Sequence, residues 1–333
     1  MTGLSRQVLA GGFEPMKTRF GYSLVMLVGL LINTPSQALE TDQFYAWGLP
    51  IEDSTQYLNA WVQLQIQTAL DSRPPDALQD CESAVTEVQT RLQHSIYQPI
   101  ELWIISSNLV DRVPRGPEAD RIYRSKYLLS KTFLFDYARW LQPSPTLQVN
   151  DIRFGSDKLA HFFSEGWWYY KYWKKNRYDH TPEQIQRGMF EYGVKLERSI
   201  QGVATTGVFS PGDLEANYQG FVFYHQLCHA EKPLLYRKEG NWQFSDRFDF
   251  RDYIYPEWDE SWNPNIYSKR RWEGIRSTMS AYCPMLNSDW VNRQRTLYAG
   301  LDTLTPTEEL IREWVATGEL DDPRNFDITA VCK

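Results

Sequence analysis

The sequence predicts a mainly α-helical fold: a single irregular domain with a central helix bundle and long aromatic-rich loops. Three observations carry that expectation. Apolar residues recur at helical spacing, as in Ile185, Met189, Tyr192, Leu196 and Ile200. Helix-start signals recur too: Thr181-Pro182-Glu183-Gln184 and Ser210-Pro211-Gly212-Asp213 each place a capping side chain before a proline in the first turn. No stretch alternates as strands of a parallel sheet would. The 333 residues, 42% hydrophobic and 15% aromatic, suffice for one substantial core.

Taken in order, the chain first reads as a targeting segment. Met16 to Arg19 form a basic n-region, 22–32 (YSLVMLVGLLI) an apolar h-region, and 33–38 (NTPSQA) a polar c-region with Ser36 and Ala38 as its small residues. This is the pattern of a Sec signal peptide spanning 1–38, cleaved after Ala38, with Met16 a candidate for the true start. The expected product is a periplasmic or secreted chain, 39–333, with no transmembrane segment after cleavage. Export changes the reading of Cys81, Cys228, Cys283 and Cys332, which form no C-x-x-C pair. In an oxidising compartment they predict two disulfides. Of the three possible connectivities, the expectation is Cys228–Cys283 with Cys81–Cys332.

In the mature chain, Ser54-Thr55 starts a helix that buries Leu58, Trp61, Val62 and Leu70. A second helix is expected over 76–97 from Val85, Val88, Leu92 and Ile96. The run 100–109 suits a buried helix or a strand. A helix is expected over 123–141, then extended chain over 147–155. The motif-bearing core, 156–228, holds three helices: from Asp157 to about Lys174, from Thr181 through Ile200, and from Ser210 to about Cys228. Beyond it, 241–259 predicts a hairpin or turns, and 258–264 (WDESWNP) an irregular loop. Helices over 267–282 and 308–317 complete the chain.

Residues four apart on a helix share a face. Each core helix carries a polar set at that spacing: Asp157 and His161, extended by Glu165; Glu197 and Gln201, with Gly193 leaving room beside them; Asp213 and Asn217, near Gly220. If these faces meet, His161, Asp157, Glu197, Asp213 and Asn217 form one partly buried site, as helix bundles build them. Asp157, His161, Glu197 and Asp213 could ligate a divalent metal with positions open for water. Alternatively, His161 is a general base oriented by Asp157 or Glu197, with no metal. A third reading stands beside these. Buried polar groups often form a satisfied network that fixes helix register, and Asp157 and Asp213 lie where a helix N-terminus favours a carboxylate.

The order D-K-x-x-H-F, then Y-G-x-x-L-E-x-x-x-Q, then F-S-x-x-D-L-x-A-N-x-x-G is similar to the signature of the VanZ-like family. The matching positions are Asp157, Lys158, His161 and Phe162; Gly193, Leu196 and Glu197; Asp213, Leu214, Ala216, Asn217 and Gly220. Gln201 sits one residue later than the family spacing. The resemblance implies that Asp157, His161, Glu197, Asp213 and Asn217 act as one unit. It does not imply a reaction, since the family, best known for glycopeptide resistance, has no settled one. Two departures stand out: VanZ-like proteins are membrane-embedded whereas these helices are charged and aromatic, and the arginine that precedes the family's last motif is missing from GVATTGVFS.

Other features are weaker. The Trp167-Trp168-Tyr169-Tyr170 run suits sugar stacking or plain core packing. Asp259, Glu260 and Asn263 match no calcium-loop spacing and read as a turn. His225 and His229 are four apart but flank Cys228. The net charge of −7 argues against a nucleic-acid partner. Two functions follow: an exported protein whose His–carboxylate site carries metal-assisted or acid–base hydrolysis of an envelope molecule, or a non-catalytic envelope protein that binds a glycan, lipid or protein partner through its aromatic surface. Substrate, metal and oligomeric state are not encoded in any pattern.

Overall fold

The computed structural model describes residues 40–332, apart from 75, 94–97, 128–142, 200, 201, 205, 302 and 303. The signal-peptide segment 1–38, Gln201, and most of the helix expected over 123–141 therefore lie outside the described residues. Within them the fold is mainly α, with ten α-helices and three small two-stranded antiparallel sheets. The first four helices are α1 (Thr55–Asp71), α2 (Cys81–Leu92), α3 (Pro99–Ser106) and α4 (Pro117–Lys126). The second helix begins at Cys81 rather than 76, because Asp80 caps it in a reciprocal capping box with Ser83. The ambiguous run at 100–109 is helical as far as Ser106, started by Pro99 at its first turn.

The extended stretch 147–155 is a hairpin, β1 (Thr146–Val149) with β2 (Ile152–Gly155). Asn150 and Asp151 form its turn at φ 50° and 65°, the geometry that matches the twist of two paired strands. Arg153 pins this hairpin to the N-terminal segment by donating to the carbonyls of Ala46 and Leu49, both at 2.7 Å. Residues Glu40 to Phe44 are thereby buried, although they immediately follow the expected cleavage point.

β2 leads into the three core helices, α5 (Asp157–Asn176), α6 (Pro182–Glu197) and, after the short β3 (Val208–Phe209), α7 (Pro211–Cys228). α5 and α7 run side by side along their lengths. Their contact is close because two glycines meet there. A Cβ on Gly166 would lie 2.5 Å from the Gly220 Cα, and one on Gly220 would lie 1.9 Å from the Phe162 carbonyl oxygen. Neither position admits a side chain without separating the helices. The capping box of Thr181 and Gln184 starts α6 as its sequence suggests, and Ser210 caps α7 by accepting from the Asp213 N–H.

A hairpin of β4 (Leu235–Lys238) and β5 (Asn241–Phe244) follows, then β6 (Ile266–Tyr267), which pairs with β3. The last helices are α8 (Lys269–Met279), α9 (Asp289–Leu301) and α10 (Pro306–Thr317). α9 was not expected from sequence; only Val291 and Tyr298 are buried on it, too few to mark a stripe. The disulfide pairing also differs from expectation: Cys81 joins Cys228, and Cys283 joins Cys332. α2 packs on the end of α7, which brings Cys81 to Cys228, while the C-terminal turns return to the segment after α8. No described helix is long and apolar enough to cross a membrane.

The aromatic load fills the core. Phe162, Phe163, Phe223, Phe250, Tyr253 and Trp258 form a continuous cluster with ring centroids 5.0–6.4 Å apart. The Trp167–Tyr170 run divides: Tyr169 and Tyr170 are buried, whereas Trp168 is exposed and covered by Lys171.

Candidate functional site

The first ten residues of α5, Asp157 to Gly166, are all buried. A helix enclosed on every side has no polar face to turn towards water, so its charged residues must find partners inside. Lys158 does so completely. Its ammonium donates to Asp157 Oδ2 at 2.7 Å, to Asp213 Oδ1 at 2.6 Å and to Glu260 Oε1 at 2.6 Å. Three carboxylates thus satisfy the three donors of one buried ammonium. Burial opposes its charge, but the pull of Asp157, Asp213 and Glu260 outweighs burial and lifts Lys158 well above the ordinary lysine range. Asp157 also accepts from Thr41 Oγ1 at 2.7 Å, and Glu260 from Ser210 Oγ at 2.8 Å.

One turn along α5, His161 faces the other oxygen of Asp213. Its Nε2 lies 3.4 Å from Asp213 Oδ2 and its Nδ1 lies 3.1 Å from Asn217 Oδ1. With the Asn217 carbonyl oxygen as acceptor, Nδ1 carries a proton, and Nε2 faces Asp213, donating to it while the ring is protonated. Glu197, at the end of α6, completes the group; ligand atoms of His161, Glu197 and Asp213 lie within 4.8 Å of one another, and all three residues are buried. Glu197 also accepts from the Ser210 N–H at 3.3 Å. Gly193, one turn before Glu197, makes room for Tyr169: a Cβ there would collide with the Tyr169 hydroxyl, 1.9 Å away.

The site therefore has two halves joined by Asp213. Lys158 fills the set formed by Asp157, Asp213 and Glu260, which is itself close enough to hold a metal. His161, Glu197 and Asp213 form the second. Asp157 belongs to the lysine half and not to the histidine half. Glu165, the extension of the Asp157–His161 row, is buried nearby and contributes to the field at His161.

Acids outnumber bases here, and the electrostatics follow. Burial raises Glu197 to about 8, assisted by Asp213. Burial raises Glu260 to about 7 against the opposing pull of Lys158, and raises Glu101, beside Ser144 and Ser156, to about 7. Burial also pushes Glu40 well up, with Asp213 and Glu260 adding to it. Burial opposes ionisation of Asp213 too, but the charges of His161 and Lys158 hold its carboxyl below the usual range. For His161, burial disfavours the cation, yet Asp213, Glu165 and Glu197 together lift it to about 9. At neutral pH the pocket thus contains bound protons that a cation can displace.

Asp157, His161, Glu197, Asp213 and Asn217 are brought into this one connected cluster. Lys158 and Glu260, along with Glu40 and Thr41, were not recognised from sequence as members. Lys158 appeared only as a motif letter, and Glu260 lies in a loop that reads as a turn. No local signal marked Lys158: it follows Asp157 in the first turn of α5, and two of its three partners, Asp213 and Glu260, come from distant segments. Asp259, beside Glu260, accepts from Ser261 and Tyr298, which confirms the turn. Of the clefts lined by described residues, one of 530 Å³ lies between α5, α6 and α7 at their other end and one of 640 Å³ beside α10; neither is lined by His161, Glu197 or Asp213. No family model matches the chain, and no curated protein or solved structure matches it.

Proposed function

We propose that this is an exported envelope protein whose His161, Glu197 and Asp213 bind a divalent transition ion and use it to hydrolyse an envelope molecule. The observation that carries this reading is the orientation of His161: Nδ1 pairs with Asn217 and Nε2 faces Asp213. A Glu197 carboxylate oxygen lies within 4.8 Å of the group, so an ion displacing the ring proton would meet one nitrogen and two carboxylates. A ligating histidine held through its other nitrogen is how proteins fix the tautomer of a metal site. One nitrogen and two carboxylates suit zinc, manganese or iron(II), with positions left for water and a substrate oxygen. When bound, such an ion would supply Lewis acidity and an activated water. Lys158 keeps Asp213 ionised, and the Ser210 N–H fixes Glu197. Gly166 and Gly220 hold α5 and α7 close enough for His161 to reach Asn217.

Export is supported by the n-, h- and c-region pattern of residues 16–38 and by two disulfides among the described residues. The VanZ-like resemblance, carried by Asp157, His161, Glu197, Asp213 and Asn217, supports treating these residues as one unit.

The test is a thermal melt of chelator-treated protein titrated with Zn²⁺, Mn²⁺ or Fe²⁺, followed by a screen of chromogenic ester, amide and phosphoester substrates. At a hundredfold excess over its dissociation constant an ion would stabilise by about 2.7 kcal/mol, roughly 4–5 °C for a chain of this size. His161→Ala is expected to abolish both the shift and any metal-dependent turnover. A shift that survives in His161→Ala would place the ion elsewhere, and turnover unaffected by chelation would remove the metal from the chemistry.

A further inference from the structure

The same three helices build a second feature at their opposite end, roughly three turns along α5 from His161. The 530 Å³ cleft there lies between the end of α5, the start of α6 and the later half of α7. Its volume is that of a small-molecule site. Ring faces dominate the walls: Trp173, Tyr178, Tyr218 and Phe221, with Ile185 and Met189 at the base.

The polar groups lining the cleft are all neutral or basic. Arg177, His180, His225, His229 and Gln186 contribute to it, and no aspartate or glutamate does. This contrasts with a chain of net charge −7. Arg177 is the decisive residue. Its guanidinium sits over the Trp173 ring at 4.7 Å and the Tyr178 ring at 4.9 Å. Among the described residues no carboxylate lies within ion-pair distance of it, and of the described arginines it alone has a buried Nε without a hydrogen-bond partner. A guanidinium stacked on rings is fixed in place yet keeps its in-plane donors available for a carboxylate or phosphate. His229 is differently placed: Glu82 Oε1 lies 2.7 Å from its Nε2, so it belongs to a structural pair anchored beside the Cys81–Cys228 disulfide. His225 packs edge-on to Trp173 with centroids 4.7 Å apart.

We propose that this cleft binds a small anion carried on a flat ring body, the ring packing against Tyr218 and Phe221 and the anionic group pairing with Arg177. Two imidazoles four residues apart also suggest a metal, but the neighbouring guanidinium repels a cation, and His229 already has its carboxylate partner.

The probe is 8-anilinonaphthalene-1-sulfonate, an aromatic anion that fluoresces in apolar surroundings. N-phenyl-1-naphthylamine, which lacks the sulfonate, is the neutral control. Native full-length mature protein is expected to bind the sulfonate saturably at one per chain, with energy transfer from tryptophan. Arg177→Gln should weaken the sulfonate at least tenfold and leave the neutral probe unchanged. Gln186→Trp, which fills the cleft from the α6 side, should weaken both. Circular dichroism melts confirm that each variant is folded. The proposal is overturned if the folded protein binds no sulfonate saturably, if Arg177→Gln affects both probes equally, or if neither variant alters binding. None of these outcomes depends on the His161 centre.

Discussion

At the scale of single residues, Lys158 and His161 divide the labour of one acidic pocket. Lys158 has no exposure, and each of its donors meets a carboxylate. Replacing it with methionine keeps the volume and leaves three carboxylates without their cation. Removing one partner of a buried ion cluster typically costs about 3–5 kcal/mol, so Lys158→Met is expected to lower the urea midpoint sharply or to prevent folding. His161 is different, because the imidazole can give up its own proton and Glu197 beside it can take one. The pH dependence follows from the same groups. His161, Glu197, Glu260 and Glu101 all have folded-state pKa values above their ordinary ones. The native metal-free protein therefore binds more protons than the unfolded chain between about pH 4.5 and 9. The contribution of His161 is fully present below about 6.5 and is lost as pH rises through 9. The three glutamates act in the same direction, since ionising them inside the fold costs free energy. Melting temperatures of metal-free protein are thus expected to fall from pH 5.5 to pH 9, and saturating Zn²⁺ should flatten that fall. A metal-free protein that became more stable towards pH 9 would contradict the burial of these acids.

At the scale of elements, the crossing of α5 and α7 governs the site. An alanine in place of a helical glycine would ordinarily gain up to about 1 kcal/mol of helix propensity. Here backbone atoms stand 1.9–3.0 Å from the new methyl carbons, and overpacking costs about 1–3 kcal/mol. The clash decides the sign. Gly166→Ala and Gly220→Ala are each expected to destabilise, and whatever fold survives should bind metal more weakly, because His161 and Asn217 stand on opposite sides of that contact. Calorimetric titration of the two variants checks this. These elements also show what the sequence could and could not disclose. The start of α6 was legible because Thr181 and Gln184 make a local, reciprocal cap. The polar row of Asp157 and His161 was legible as a spacing. Its neighbour Glu260 was not, because it arrives from a loop 102 residues away from Lys158, and no local pattern encodes such a meeting. α9 was missed for a related reason: it is amphipathic only weakly and depends on tertiary contact through Tyr298, whose hydroxyl reaches Asp259.

At the scale of the whole molecule, the two disulfides tie the periphery to the bundle. Cys81–Cys228 closes a separation of 147 residues and Cys283–Cys332 one of 49. In the chain-entropy account each would stabilise by roughly 4–5 kcal/mol. Peptide mapping without reduction is expected to recover these two pairs, and reduction should lower the melting temperature. Linear order decides among none of the three connectivities, so the expected Cys81–Cys332 pairing had no local signal to correct it. Only the docking of α2 on the end of α7 decides it. The bundle thus carries an acid-rich pocket at one end and an aromatic, basic cleft at the other. The pocket is assembled from segments that meet only once the chain has folded: residues 40–41, the starts of α5 and α7, the end of α6, and the loop at 257–260.

The central claim is that His161, Glu197 and Asp213 hold a metal ion, and elemental analysis tests it most directly. The mature chain would be exported to a bacterial periplasm and purified without chelators or a histidine tag, beside His161→Ala. The account predicts close to one equivalent of zinc, manganese or iron in the wild type and its loss in a variant that still folds. Absence of metal from wild type that also fails to take up any of the three on titration would contradict it, and would make the Asp157–His161 row part of the scaffold.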